Sequence, residues 1–92
     1  MLINIVGDLC LQGIDVENFS IDDSIKQIFV SSDLNIANLE NPLTESNHGK
    51  PYQPTYLKCG PENNHIYDLF HVFSLANNHI MDYGDNGLFD TF

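Results

Sequence analysis

Apolar residues along the chain gather in short runs that alternate with stretches of helical spacing. Leu2-Ile3-Asn4-Ile5-Val6 is a β-rich run ended by Gly7-Asp8, which predicts a buried strand stopping at a loop. Ile21 to Val30 follows Ser20, carries Asp22 and Asp23 in its first turn, and repeats Ile21, Ile25, Ile28 and Phe29 at helical spacing; it predicts a short amphipathic helix. Leu34 to Leu39 predicts a second strand with Glu40 at its carboxyl end, broken by Asn41-Pro42. Residues 41–55 are polar and proline-containing, a loop over the strand ends, and Tyr56-Leu57-Lys58 predicts a short edge strand. Pro61 stands where a helix can begin, with Ile66, Leu69 and Phe70 as its apolar side. Val72 to Ala76 predicts a third strand ending at Asn77-Asn78-His79, and a last helix runs from near Asp85 through Leu88 and Phe89.

Strands alternating with helices imply an α/β fold with a mostly parallel sheet and right-handed crossover helices. Ligands of such sheets bind outside the carboxyl ends of the strands. Three polar clusters occupy three successive strand ends: Gly7-Asp8, Asn38-Leu39-Glu40 and Asn77-Asn78-His79. With the strands side by side, these clusters converge on one rim.

Composition narrows what that rim can do. Ninety-two residues make a single domain, and 42% apolar residues with 11% aromatics are globular rather than disordered. Thirteen acidic against three basic residues give −10, which argues against nucleic acid or an anionic membrane as partner. The charge suits a cation, or simply a solvated surface. No apolar run approaches the ~20 residues of a membrane span, and no leader opens the chain, so a cytoplasmic protein is expected. Cys10 and Cys59 lack the spacing of a zinc or redox motif and read as reduced, buried, small apolar residues.

Asp8, Glu40, Asn78 and His79 are oxygen donors plus one imidazole, a set that suits Mn²⁺, Mg²⁺, Zn²⁺ or iron. Each also has a plainer role. Asp8 can cap a turn, Glu40 can be a solvated loop carboxylate, Asn38 can bond backbone, and Asn77 and Asn78 can be turn residues. His79 can be a neutral core histidine. Asp82 either ligates, orients His79 or caps the last helix. His48, His65 and His71 lack ligand spacing and read as structural or surface residues.

Beyond the residues taken singly, Val6-Gly7-Asp8, then Asp33-Leu34 through Asn38-Leu39-Glu40-Asn41-Pro42-Leu43-Thr44, then Leu75-Ala76-Asn77-Asn78-His79-Ile80-Met81-Asp82-Tyr83-Gly84, followed by Gly87-Leu88 and Thr91, form an ordered pattern. That pattern resembles the N-terminal part of the CapA-type family of capsule and poly-γ-glutamate biosynthesis proteins, which looks related to the calcineurin-like metallophosphoesterases. The resemblance spans essentially the whole chain.

The resemblance implies the first portion of an αββα metallophosphoesterase-like sandwich, with residues 1–92 as one incomplete domain. It implies a two-metal site in which Asp8, Glu40 and Asn78 are ligands and Glu40 bridges. His79 would contact the scissile phosphate and protonate the leaving group, and Asn38, Asn77 and Asp82 would support the ligands or touch substrate. The resemblance also implies an anionic phosphorylated or polyglutamate-related substrate. Cys10 stands where the wider phosphoesterases carry a ligand histidine, and Ile80 where they often carry an acid. Their later histidine motifs have no counterpart before Phe92. Two expectations therefore stand side by side: a metal-dependent hydrolase site lacking its distal part, or a non-catalytic fragment that self-associates or binds a partner.

Overall fold

The structure is a computed structural model and describes residues 1–15, 17–60 and 65–92. Three strands, β1 (Ile3–Leu9), β2 (Leu34–Leu39) and β3 (Val72–Ser74), form one parallel sheet in the order β1-β2-β3. Helix α1 (Asp23–Val30) connects the first two strands, and α2 (Gly84–Thr91) comes after the third. The sheet and its helices are those of an α/β fold, consistent with part of a metallophosphoesterase-like domain.

β2 is the central strand. Asn35, Ala37 and Leu39 are buried on one of its faces and alternate with half-buried Leu34, Ile36 and Asn38, the period-two signature of a strand covered on one side. Around it Phe29 meets Phe70 at 5.1 Å between ring centroids, and Phe70 meets Phe73 at 5.9 Å. Asn35 is nevertheless polar and 1% exposed. Its Nδ2 donates to the Phe29 and Leu69 carbonyls, both at 2.8 Å, and its Oδ1 accepts from Asn4 Nδ2 at 2.9 Å. Burial of that amide is thus tolerable only because each polar atom is bonded.

β1 departs from expectation in two ways. It does not stop at Val6: a bulge between Ile5 and Asp8 absorbs one extra residue, and pairing resumes with Asp8 opposite Asn38 and Leu9 opposite Leu39. Nor is it buried, since it lies at the sheet edge with Ile3 44% and Ile5 76% exposed. Cys10, just beyond it, and Cys59 are half-buried rather than buried.

Other boundaries move as well. Helix α1 begins at Asp23, because Asp22 is the N-cap and accepts from the Ser24 N–H at 2.9 Å. The helix expected from Pro61 begins outside the described residues, and its later part forms only a 3₁₀ turn, Tyr67–Leu69. The bonds of this turn run Leu69 N to Ile66 O and Phe70 N to Tyr67 O, after which Phe70 is already extended and leads into β3. Tyr56-Leu57-Lys58 is not a strand. Pairing there reduces to a single bridge between Leu43 and Cys59, with Thr44 N donating to Cys59 O at 2.8 Å. Helix α2 starts one residue earlier than expected and is held by Leu43 N donating to Thr91 Oγ1 at 3.0 Å and by buried Thr44 donating to Asp90 Oδ2.

Candidate functional site

The carboxyl ends of β1, β2 and β3 do meet, and a continuous chain of hydrogen bonds links them. Asn38 Nδ2 donates to Asp8 Oδ1 at 2.8 Å and to Glu40 Oε2 at 2.7 Å. Both carboxylates therefore face one amide nitrogen. The register places them: the bulge brings Asp8 opposite Asn38, and Glu40 N donates to Leu9 O just past the end of β2. Asn77 extends the chain from the end of β3, where its Nδ2 donates to Asn38 Oδ1 at 3.1 Å and to Leu39 O at 2.7 Å. Its Oδ1 meanwhile accepts from His79 N and Ile80 N at 3.0 and 2.9 Å. An asparagine suits this post because it donates and accepts at once while holding a turn.

His79 lies beside the pair of carboxylates. Its Nδ1 is 2.7 Å from Asp82 Oδ2, and its Nε2 is 4.0 Å from Glu40 Oε1. Asp82 does not cap α2: the N-cap is Tyr83, with no side-chain capping bond. Asn78 is exposed and stands outside this chain of bonds. His48, His65 and His71 are all exposed, and His71 Nδ1 accepts from Asn35 N at the other end of β2. His65 lies in a turn rather than a helix.

Sequence reasoning missed the part played by residues 50–58. Lys50 N donates to Asp82 O, Leu57 N donates to Asp82 Oδ2 at 2.8 Å, and Tyr56 packs on Tyr83 at 5.8 Å between centroids. Lys58 Nζ lies 5.0 Å from the Tyr83 ring and bonds Ser46 O and Asn47 Oδ1. The contacts to Asp82 and Tyr83 join segments 25 or more residues apart, and no local pattern encodes them.

The cation the family resemblance implies can be tested against these donors. Two carboxylate oxygens share one neighbour, Asn38 Nδ2, which marks a point between them where a positive charge is favoured. Among the described residues, however, no group of three or more His, Cys, Asp or Glu side chains could hold a metal ion. Asp8 and Glu40 would supply only the anionic side of a divalent-cation site, and further oxygen donors would be required.

Residues 3–92 match the model of the family described as "Bacterial capsule synthesis protein PGA_cap". The chain belongs to this family. It is also 37% identical over 75 residues to the PGA biosynthesis protein CapA of Bacillus subtilis, an alignment covering 78% of this chain. The chain spans only about 20% of the length of that relative. Ile80, which follows His79, is buried at 9% exposure. Among the described residues no helix is long and apolar enough to cross a membrane.

Proposed function

We propose that the rim is part of a metal-dependent phosphoester-hydrolysing site serving capsule or poly-γ-glutamate synthesis, with a phosphorylated or polyglutamate-related anion as substrate. One observation carries this: Asp8 Oδ1 and Glu40 Oε2 converge on a single amide, with His79 Nε2 4.0 Å from Glu40 Oε1. An anion brought to within ~4 Å of either carboxylate would meet about 1 kcal/mol of repulsion in water and about 4 kcal/mol near a protein surface. A rim built this way accepts an anion only with a cation present.

In this proposal Asp8, Glu40 and Asn78 hold Mn²⁺, Mg²⁺, Zn²⁺ or iron, one or two ions. The metal would polarise a phosphoryl oxygen and lower the pKa of a bound water. His79 Nε2 faces the phosphoryl group and, once it has taken a proton from solvent, passes that proton to the leaving oxygen and returns to its neutral form. Asn38 and Asn77 keep the two carboxylates and the His79 turn at fixed separation.

Calorimetric titration with Mn²⁺ tests this. The expected result is weak but saturable binding that falls at least ~10-fold in Asp8→Asn and in Glu40→Gln, the order of effect seen when a ligand's environment is disturbed. Unchanged affinity in both variants would sink it.

A second function, self-association, is favoured by the exposed edge. The chain exposes 5969 Å², whereas a compact protein of this size exposes about 5,400 Å². Its radius of gyration is 13.9 Å, against roughly 12 Å for a compact domain of this length. Leu2, Ile3 and Ile5 supply much of the uncovered apolar surface along β1, an unpaired edge without lysine or proline. Sedimentation should show a concentration-dependent dimer that Ile5→Lys dissociates. A monomer at every concentration rules this function out.

A further inference from the structure

Asp82 makes more contacts than a residue at the start of a helix requires. Its side chain is fully buried, at 0% exposure, and its Oδ2 receives two neighbours: His79 Nδ1 at 2.7 Å and Leu57 N at 2.8 Å. Its main-chain oxygen accepts from Lys50 N at 2.7 Å. Asp82 thus grips residues 50–57 at both ends, by main chain at Lys50 and by side chain at Leu57. Its other oxygen, Oδ1, is equally buried and has no hydrogen-bond partner among the described residues.

Because Oδ2 accepts the Leu57 N–H, it faces His79 as an acceptor too. A histidine lone pair aimed at the same oxygen would be repelled, so Nδ1 carries the ring proton and Nε2 is left on the side of Glu40. The bare Oδ1 makes the arrangement one-sided: among the described residues both donors to the buried carboxylate sit on one oxygen, and losing either leaves the other alone.

We propose that Asp82 is the positioning residue of this site, fixing His79 in its Nδ1–H form with Nε2 at the rim, and that it makes this orientation depend on the docking of residues 50–57. The relevance to catalysis rests on the function proposed above; the orientation itself does not.

Long-range ¹H–¹⁵N correlation spectra of the labelled 92-residue chain give the tautomer directly, with His79→Gln identifying the signal. The expected result is a single Nδ1–H tautomer in the wild type. In Asp82→Ala the Nε2–H form should appear, and the Leu57 amide should lose its protection from hydrogen exchange. In His79→Gln the Leu57 amide should stay protected, since its bond is to Asp82. A wild-type His79 in the Nε2–H form overturns the proposal and needs no variant to be folded. So does a tautomer unchanged in Asp82→Ala whose β2 amides remain protected. Absence of Mn²⁺ binding would sink the metal site without moving the His79 tautomer, so the two failures are distinguishable.

Discussion

Asn77 and Asn38 are joined side chain to side chain, Nδ2 of the first donating to Oδ1 of the second at 3.1 Å. Through this bond the turn that carries His79 is fastened to the amide that separates Asp8 from Glu40. The rim is therefore one connected polar network rather than three independent loop ends, and changes at its node should be felt across it.

Asn77→Ala removes two donated and two accepted bonds at once. With net contributions of about 1 kcal/mol each, partly shared, a loss of roughly 2–3 kcal/mol is expected. Urea denaturation followed by circular dichroism measures it. A loss below ~0.5 kcal/mol would mean that water replaces the network freely.

Asn35→Leu should cost at least as much, although it places an apolar side chain in an apolar setting. The Leu69 carbonyl would lose its partner, and the Phe29 carbonyl and Asn4 amide would each lose one bond while keeping Ser32; a stranded buried group costs about 1–3 kcal/mol. Thermal unfolding should shift down by several degrees or lose its cooperativity. An unchanged midpoint would count against a structural role for the buried amide.

Gly87→Ala sets two effects against each other. Alanine gains about 1 kcal/mol over glycine in a helix. A Cβ at Gly87, however, would meet Tyr83 Cβ at 2.7 Å, a contact with no flexible end to yield. Overpacking of this kind costs about 1–3 kcal/mol, so a lower melting temperature is expected. A higher one would show that the Tyr83 turn can shift.

Alkaline pH should weaken the fold through Tyr67. Burial pushes its phenol well above the ordinary 10.0, and the neighbouring Cys59 adds to the shift. Above pH 10 the unfolded chain releases this proton while the folded chain keeps it, so folding stability is full below 10 and declines as pH rises beyond it. Stability measured between pH 9 and about 11 should fall more steeply in the wild type than in Tyr67→Phe. Parallel curves would show that Tyr67 is not the group responsible.

Much of this was legible from local pattern. The alternation in β2, its end at Glu40, the start of β3 at Val72 and the final helix arise from side-chain periodicity and from turn-forming asparagines, although β3 stops at Ser74 rather than running to Ala76. What escaped depends on partners distant in sequence. Gly7 reads as a stop, yet pairing with β2 carries the chain through it. Ile66, Leu69 and Phe70 have helical spacing, but extension of Phe70 toward β3 wins over the periodicity. Lys50 and Leu57 show no sign in sequence that both will bond Asp82. Of the candidate site, the convergence of Asp8, Glu40 and His79 could be foreseen; the resemblance sets Asn38 and Asn77 beside the ligands but not the bonds by which they link the strand ends, because an amide's partners are set only by the fold.

The extra residue between Ile5 and Asp8 has a consequence for how this stretch of chain can vary. Continued without the bulge, the pairing that sets Ile5 opposite Ile36 would bring Gly7 to Asn38 and Asp8 to Leu39. A shift of one place also turns a strand side chain to the opposite face. Spacing here is thus a coded quantity, counted in whole residues. Straightening the strand at its present length would take the carboxylate away from the rim, whereas a deletion at Val6 or Gly7 would absorb the bulge and leave Asp8 opposite Asn38.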